Sequence, residues 1–579
     1  MKDKCYQQRI VIKIAGASGQ GINSIGEVIA RTLKNTGYKT FAYREYPSLI
    51  KGGYASYQID FSDCNIDSSM AESDVLLCIG RAAIHKYLYT VKKNGLIIHS
   101  LKALILKPEE KEYLAKNNIE IEYIDALGMA MELGGHAIFT NIILSGVLWK
   151  YLGQELKYLE EEIKVEFADK PKYLEKDLQA VKHGYELPLK REALKPQFKL
   201  DQNWKSSMII TGNESLSLGA IAAGVRAYYA YPMTPSSSIL STMAKHYHDT
   251  GILVKQAEDE ITAIQMTLGS MFVGTRALVA TSGGGFDLMT ESLSLAGITE
   301  TPLVCVIAQR PGPATGLPTW TSSGDLNLAV YAGHGEFVRC VLAASDVTSA
   351  YELIQHALNI AEEIQIPVLV LTEKQIAESL YNIADLPEGI EIKRGLVESN
   401  FDELKPTDRF KITESGISPR WVPGQSHATY VANSDEHLED GTLTEDAEPA
   451  KAMIDKRLRK IMALKNIMPE PTVYGSKIAD YSFVGWGSVK SSVLDAMELL
   501  KDELSINYLH FDYVYPLKTT ELEKFVKNSK KLVLIENNAL GQLGKLIRQE
   551  TGIEFKNKLL KYDGRPFFVD DIINWIEKN

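Results

Sequence analysis

The chain has 579 residues, of which 45% are hydrophobic and 24% are charged, and its formal net charge is −11. This composition predicts about three to four domains, and the acidic balance argues against a nucleic-acid partner, because such proteins carry basic surfaces. No run of eighteen apolar residues occurs, and the polar N-terminus lacks a signal-peptide pattern, so we expect no membrane partner. The five cysteines are widely separated without a C-x-x-C pair, which predicts no metal or iron–sulfur site here and favours the reducing cytoplasm.

The N-terminal segment reads as a strand, a glycine turn and a helix. Residues 9–15 are mostly apolar, the turn contains Gly16, Gly19 and Gly21, and residues 22–36 have helical apolar spacing. Free backbone N–H groups and the positive end of a helix dipole would meet at this turn, which suits a phosphate. The spacing is G-x-x-G-x-G rather than G-x-G-x-x-G, so a tight turn needed only for packing remains the alternative.

Two further motifs and a charged segment complete the N-terminal third. P-S-L-I-K-G-G contains Lys51, and T-N-I-I-L-S-G contains Asn141. Taken alone, Lys51 is equally consistent with a solvated surface lysine. Residues 154–199 are rich in Lys and Glu and predict one or two helices followed by a polar connector, with a solvated charged face.

The stretch 226–326 alternates apolar runs with four clusters of small, turn-forming and charged residues. The clusters are Y-P-M-T-P-S-S, Q-A-E-D-E-I-T, T-S-G-G-G-F-D and A-Q-R-P-G-P-A-T-G-L-P-T. The runs Leu278–Ala280 and Pro302–Ala308 predict buried strands. In an open α/β sheet the loops at the strand carboxyl ends share one crevice, so the clusters predict one half of a coenzyme site.

Three side chains in these clusters have a functional and a structural interpretation. Thr234 lies where a helix begins, so its hydroxyl could cap that helix. Glu260 opens a helix beside its apolar stripe, where an acid complements the helix dipole but an unpaired carboxylate is costly. Arg310 follows a strand and could present its donors to a carboxylate or form a surface ion pair.

The last third predicts a long irregular segment and a further α/β unit. Residues 401–456 show little periodicity and include an acidic run, which predicts a functional or mobile loop with solvated charges and no metal site. The runs Ile506–Phe511 and Lys531–Glu536 predict strands, and E-N-N-A-L-G-Q-L and Y-D-G-R-P-F accompany them.

Y-P-M-T-P-S-S resembles the Y-P-I-T-P-S-S signature of the 2-oxoacid:ferredoxin oxidoreductases, and the other three clusters resemble that family in the same order. The departures are Met233 for Ile, Pro311 for Gly, Ala314 for Ser, and Ser323 where an amide is common. The resemblance implies an α/β fold with three doubly wound, Rossmann-like units. These are a gamma-type domain at 1–190, an alpha-type domain covering the thiamine pyrimidine at 206–385 and, after an irregular connector at 386–470, a transketolase C-terminal-like domain at 471–579.

The resemblance also implies residue roles. Glu260 would contact the aminopyrimidine of thiamine diphosphate and favour its imino tautomer, with Tyr231 and Pro232 beside the coenzyme, while Thr234 and Arg310 would hold the 2-oxoacid. Asp325 and His334 would have structural or supporting roles. The residues implied in coenzyme A binding are Gly16, Gly19, Gly21, Lys51 and Asn141.

The implied reaction is the CoA-dependent oxidative decarboxylation of a 2-oxoacid with electrons passed to ferredoxin. We rank 2-oxoglutarate first and pyruvate or branched-chain acids second, and a non-catalytic scaffold subunit is the remaining alternative. The chain lacks the G-D-G…N signature and cluster cysteines. We therefore expect a beta-type partner that carries the diphosphate, magnesium and a [4Fe–4S] cluster, in a hetero-oligomer such as (αβ)2.

Overall fold

The computed structural model describes residues 9–48, 52–134, 139–168, 171–194, 196 and 198–579. The strands of the N-terminal third are β1 Ile10–Ser18, β2 Lys39–Glu45, β3 Gly52–Ser62, β4 Ser73–Cys78, β5 Val91–His99 and β6 Glu120–Tyr123. The next strands are β7 Met208–Thr211, β8 Ala227–Ala230, β9 Leu253–Gln256, β10 Ala277–Thr281, β11 Leu303–Gln309, β12 Cys340–Ala343, β13 Pro367–Glu373 and β14 Leu380–Ile383. The last are β15 Thr472–Tyr474, β16 Tyr481–Trp486, β17 Ile506–Phe511, β18 Tyr513–Tyr515, β19 Leu532–Glu536 and β20 Asn557–Leu560.

Helices connect most of these strands. The first group is α1 Ile22–Thr36, α2 Arg81–Tyr87, α3 Pro108–Lys116, α4 Ala126–Glu132, α5 Thr140–Tyr151, α6 Leu156–Glu166, α7 Pro171–Glu186 and α8 Gln202–Ser206. The second is α9 Gly212–Ala222, α10 Ser237–Lys245, α11 Tyr247–Thr250, α12 Glu260–Phe272, α13 Gly283–Ile298, α14 Leu326–Tyr331, α15 Val347–Ile364 and α16 Lys374–Glu378. The third is α17 Ala447–Ile467, α18 Val489–Leu500, α19 Thr520–Asn528, α20 Gln542–Thr551 and α21 Val569–Lys578. No helix in the described part of the chain is long and apolar enough to cross a membrane.

Three sheets organise these elements, and the predicted α/β class is confirmed. The first has the strand order β6-β5-β4-β1-β3-β2-β14-β7, the second β18-β12-β13-β11-β10-β8-β9, and the third β15-β17-β16-β19-β20. In the second sheet β9, β8, β10, β11, β13 and β12 run parallel. Its central strands are buried on both faces, which explains their continuous apolar sequences.

The sheets cross the predicted segment limits in two places. Strands β7 and β14, which the sequence suggested would belong to the central unit, instead extend the first sheet, because β14 pairs antiparallel with both β2 and β7. Strand β18 leaves the C-terminal region to pair with β12 of the second sheet. A single buried core also joins the second and third sheets, with Leu326 of α14, Trp486 and Leu543 in one apolar cluster. The three sheets are therefore joined by shared strands and by a shared apolar core.

The long helix α17 differs from the prediction of an irregular segment. Its buried positions are Met453, Lys456, Arg457, Lys460 and Leu464, which have helical spacing. Three of the five are basic, so hydrophobic periodicity could not reveal the helix. Glu300 compensates two of these charges, at 2.5 Å from Lys456 Nζ and 2.6 Å from Lys460 Nζ.

Candidate active site

Four loops meet at the carboxyl end of the second sheet. Strands β11, β10, β8 and β9 are neighbours in that order and run parallel. The segments that follow them therefore share one edge of the sheet. They supply Arg310, the first turn of α13, the Tyr231–Ser236 loop and the first turn of α12. The predicted clusters are brought together in space.

The three acids at the start of α12 occupy different environments. Asp259 is the N-cap residue, and its carboxylate accepts a hydrogen bond from the Thr262 backbone N–H at 2.7 Å. Glu258 is exposed. Glu260 is only 5% exposed, and its carboxylate makes no hydrogen bond or ion pair with any residue that the structure describes. Capping and solvation account for the first two acids, whereas Glu260 is a buried carboxylate awaiting a donor.

The glycine run at the start of α13 leaves room for two carboxylates. A Cβ atom on Gly285 would lie 2.9 Å from both Cγ and Oε1 of Glu260, and one on Gly283 would lie 2.6 Å from Oδ2 of Asp325. Any larger residue would displace these acids. Ser282 adds a buried hydroxyl that has no hydrogen-bond partner in the structure. The absence of side chains here therefore lets Glu260 and Asp325 approach the backbone at the start of α13 closely.

Arg310 is half-buried and lies against the Tyr231–Ser236 loop. Its Nη1 donates to the Thr234 carbonyl oxygen at 2.7 Å. Burial lowers the pKa of Arg310, and the nearby charge of Asp325 partly offsets this. The Thr234 hydroxyl does not cap the following helix, which begins at Ser237 without a side-chain cap. Thr234 and Arg310 are thus in contact, and the Thr234 hydroxyl is not used as a helix cap.

Asp325 is a further titratable group of this site, for which the sequence suggested only a structural or supporting role. Its Oδ2 is buried and has no hydrogen-bond partner among the described residues, and its backbone N–H donates to the Gln309 side-chain oxygen at 2.9 Å. Burial raises the pKa of Asp325 to about 6, helped by Asp287 and opposed by Arg310. The S-G-D motif does not predict that Asp325 lies near Arg310 and Asp287, because Arg310 follows β11 and Asp287 belongs to α13. His334 lies apart on an exposed turn, where its N–H donates to the Ser294 hydroxyl.

The loop that carries Arg310 is held by both neighbouring units. The Ser323 backbone N–H donates to the Asn537 carbonyl at 2.8 Å, and the Asn538 side-chain amide donates to the Ser323 carbonyl at 3.1 Å. From the first sheet, the Tyr46 carbonyl accepts a hydrogen bond from the Thr319 hydroxyl at 2.6 Å. The E-N-N-A-L-G-Q-L motif therefore fixes the backbone that presents Arg310.

Tyr231 and Pro232 lie at the exposed rim of this crevice. Further exposed apolar side chains stand around it, namely Ile261, Leu288 and Leu317. Rimmed apolar surface of this kind is typical of an interaction face.

The N-terminal glycine turn is the second region for which the sequence predicted a binding role. Gly19 and Gly21 have φ of 88° and 74°, which only glycine adopts readily, and Gly21 is the N-cap of α1 without a side-chain cap. Asn141 reaches this turn, because its Nδ2 donates to the Gln20 carbonyl at 2.6 Å. A Cβ atom on Gly16 would lie 2.6 Å from Cδ1 of Ile22, so Gly16 is needed for close packing. Lys51 lies outside the described residues.

Comparison with known proteins agrees with this geometry. The family model "Pyruvate flavodoxin/ferredoxin oxidoreductase, thiamine diP-bdg" matches residues 218–456, and "Pyruvate ferredoxin/flavodoxin oxidoreductase" matches residues 11–187. A 2-oxoacid:ferredoxin oxidoreductase subunit alpha from a Sulfolobus species is 32% identical, over 96% of this chain and 95% of its own length. A 2-oxoglutarate oxidoreductase subunit KorA from Mycobacterium tuberculosis is 27% identical, over 99% of this chain and 92% of its own length.

A solved structure matches the whole chain. It is a 2-oxoglutarate:ferredoxin oxidoreductase from Magnetococcus marinus with 2-oxoglutarate, coenzyme A and succinyl-CoA bound. Its TM-score is 0.90 at 29% identity, and the match covers 99% of each chain. With a relative above 30% identity over nearly its full length, the chain belongs to the thiamine-binding alpha subunits of the 2-oxoacid:ferredoxin oxidoreductases.

Proposed function

We propose that this chain is the fused gamma–alpha subunit of a 2-oxoglutarate:ferredoxin oxidoreductase. In this proposal 2-oxoglutarate and CoA give succinyl-CoA, CO2, a proton and two electrons, and ferredoxin accepts the electrons. The C1–C2 bond of the acid breaks, and a bond forms between its C2 carbon and the CoA sulfur. Segment 1–190 carries the CoA and partner contacts, segment 206–385 the pyrimidine contact, and 471–579 supports the loops, with 386–470 as a connector. We expect the complex in the cytoplasm.

The observation that carries this proposal is the environment of Glu260. A buried carboxylate without a partner among the described residues is unfavourable unless a donor is supplied from outside the chain. Gly285 has no side chain and so lets Glu260 lie directly against the first turn of α13. These residues fit the aminopyrimidine ring of thiamine diphosphate, in which one ring nitrogen can share a proton with the Glu260 carboxyl group. When bound, thiamine diphosphate supplies the carbanion chemistry of the decarboxylation.

Arg310 and Thr234 suit the keto-carboxylate of the substrate. The guanidinium uses Nη1 on the Thr234 carbonyl, and its other N–H groups have no partner among the described residues. An Arg fork of this kind binds a carboxylate through two parallel hydrogen bonds. The Thr234 hydroxyl can donate to the adjacent keto oxygen. Burial lowers the pKa of Arg310, so its guanidinium is partly desolvated, and hydrogen bonds to it are stronger than in bulk water.

A beta-type partner completes the site in this proposal. The chain lacks the diphosphate–magnesium motif and grouped cysteines. The exposed apolar side chains Ile261, Leu288 and Leu317 surround the crevice and suit a partner surface. We assign the diphosphate, magnesium and the [4Fe–4S] cluster to that partner.

The test uses the chain co-purified with its partner. Reduction of a viologen dye or ferredoxin, with CoA present, is measured with 2-oxoglutarate, pyruvate and branched-chain 2-oxoacids. We expect the highest specificity constant with 2-oxoglutarate, as the resemblance to the Magnetococcus marinus enzyme suggests. A preference for pyruvate, which the family-model names would favour, changes the substrate but not the class. No reduction with any of these acids would support the scaffold alternative. The isolated chain is expected to contain no iron, and stoichiometric iron–sulfur absorption in it would contradict the assignment of the cluster.

A further inference from the structure

A cavity opens beside the N-terminal glycine turn. It has a volume of about 230 Å³ and lies between helices α1, α5 and α7, next to Gly21 and Asn141. Its walls are mainly apolar and include Ile25, Val28, Phe139 and Tyr173. Binding sites for whole drug-sized ligands have volumes of roughly 300–1,000 Å³. The cavity therefore accepts a fragment of a ligand rather than a whole coenzyme.

One acidic side chain lines this apolar cavity. Asp177 of α7 is 7% exposed and makes no hydrogen bond or ion pair with any residue of the described part of the chain. Burial raises its pKa to about 6. Retaining an ionisable group here without a partner destabilises the fold. An external donor on an otherwise apolar, planar group would remove this cost.

The neighbouring turn is suited to phosphate groups. Helix α1 is 15 residues long, and its N-cap Gly21 contributes no side chain, so the backbone N–H groups of its first turn remain accessible. A phosphate site next to a mainly apolar cavity with a hydrogen-bond acceptor suits a purine nucleotide that carries an exocyclic amino group. Asn141 belongs to both the turn and the cavity, because it donates to the Gln20 carbonyl and also lines the cavity wall.

We propose that this cavity binds the adenine base of CoA and that the Asp177 carboxylate accepts a hydrogen bond from its 6-amino group. The inference rests on the proposed function, which supplies CoA as the nucleotide. A carboxylate accepts but does not donate, so it selects the amino group over an oxygen at the same position. Asp177 is thus a specificity-determining residue for the acyl acceptor, and it takes no part in the decarboxylation.

The test compares CoA with its hypoxanthine analogue, in which the 6-amino group is replaced by oxygen. Calorimetry on the intact complex measures the Kd of both compounds, and turnover with each gives KM. We expect the wild type to bind CoA about ten-fold or more tightly than the analogue, because the carboxylate would face an oxygen. Asp177→Asn should reduce this ratio to within about two-fold, since an amide can donate to the oxygen.

Two controls separate this role from a structural one. Glu162→Gln changes another buried carboxylate of the same segment, which Asn35 already hydrogen-bonds at 2.8 Å, and should leave the ratio unchanged. Pantetheine lacks the nucleotide, so its turnover should be equal in the wild type and Asp177→Asn. Equal wild-type affinity for CoA and the analogue overturns the adenine assignment without any variant. If the wild-type complex neither binds CoA nor forms an acyl-CoA from any 2-oxoacid, the proposed function itself fails.

Discussion

The crevice at the second sheet and the glycine turn of the first sheet contain similar groups, but we propose different functions for them. Each sets a buried, unpartnered carboxylate, Glu260 or Asp177, beside bare glycine backbone. The crevice is held by hydrogen bonds from two other sheets, through Tyr46 of the first and Asn538 of the third, whereas Asn141 holds the turn from within the same N-terminal segment. Contacts from several units fix the geometry that chemistry requires. Changes in the crevice should therefore lower kcat, and changes at the turn should raise the KM for CoA.

The largest effect is expected at Glu260. Glu260→Gln keeps the size of the side chain but cannot stabilise a protonated pyrimidine ring, so turnover should fall on the order of a hundred-fold or more. The complex should fold and retain its iron. The rate of 2-oxoacid-dependent dye reduction and the exchange of the thiazolium proton with deuterium measure the loss.

Glu258→Gln is the matched control for this change. Glu258 shares the helix start but is exposed, so its removal should cost at most ~0.3–1 kcal/mol of stability and no turnover. Equal, small effects at both positions would mean that Glu260 only complements the helix dipole.

The next effect is expected at Arg310. Arg310→Lys keeps the charge but loses the planar fork, so the specificity constant for the 2-oxoacid should fall roughly ten- to a hundred-fold, or about 1.5–3 kcal/mol. The KM for CoA should not change, because the glycine turn is a separate site. Unchanged steady-state kinetics would mean that Arg310 does not bind the substrate and forms only a surface ion pair. A raised KM for CoA would mean that the crevice and the glycine turn are not independent.

The sequence predicted which loops meet in the crevice, but it did not predict the contacts that hold the crevice in place. Motif order and strand periodicity brought Thr234, Glu260 and Arg310 to one sheet edge, because parallel strands place their following loops together. The pattern could not predict that β14 joins the first sheet or that Asn538 holds the Arg310 loop, because both depend on contacts between residues far apart in the chain. Helix α17 was missed because its buried face is basic.

Asp177 went unnoticed for a related reason. In the sequence it is one acid among many in a Lys- and Glu-rich segment, and such charges usually lie on a solvated face. Only the packing of α7 against α5, beside the cavity that α1 also lines, reveals that it is buried. The sequence could have revealed it in one way: Asp177 shares a helical face with Ala180, Val181 and Gly184, which the spacing assigns to the core.

Asp177 should also make stability depend on pH. Its pKa is raised from 3.8 to about 6 in the folded protein, so the folded state resists ionisation. The resulting destabilisation is absent below pH 4, grows between about pH 4 and 6, and is complete above pH 6. Asp177→Asn removes this dependence. The free energy of unfolding of the variant, minus that of the wild type, should therefore be larger at pH 8 than at pH 4 by on the order of 1–3 kcal/mol. Thermal unfolding of the complex between pH 4 and 8, without CoA, measures it, and parallel Tm profiles would contradict the assignment.

The smallest effect tests whether the two regions communicate. Arg565 links the Arg310 loop to the first sheet, which also carries the turn, because its guanidinium lies 3.5 Å from the Trp320 ring centroid in the Arg310 loop and 3.5 Å from Glu45 Oε1 at the end of β2. Arg565→Lys keeps the charge opposite Glu45 but loses the planar stacking on Trp320, a contact worth ~0.5–1 kcal/mol. We expect the specificity constant for the 2-oxoacid to fall about two- to five-fold, while the exposed control Lys556→Ala leaves it unchanged. The informative quantity is the KM for CoA measured in the same series. If it stays constant, the crevice and the turn are independent sites joined by a rigid support, and if it rises with the loss at the crevice, Arg565 couples the two sites.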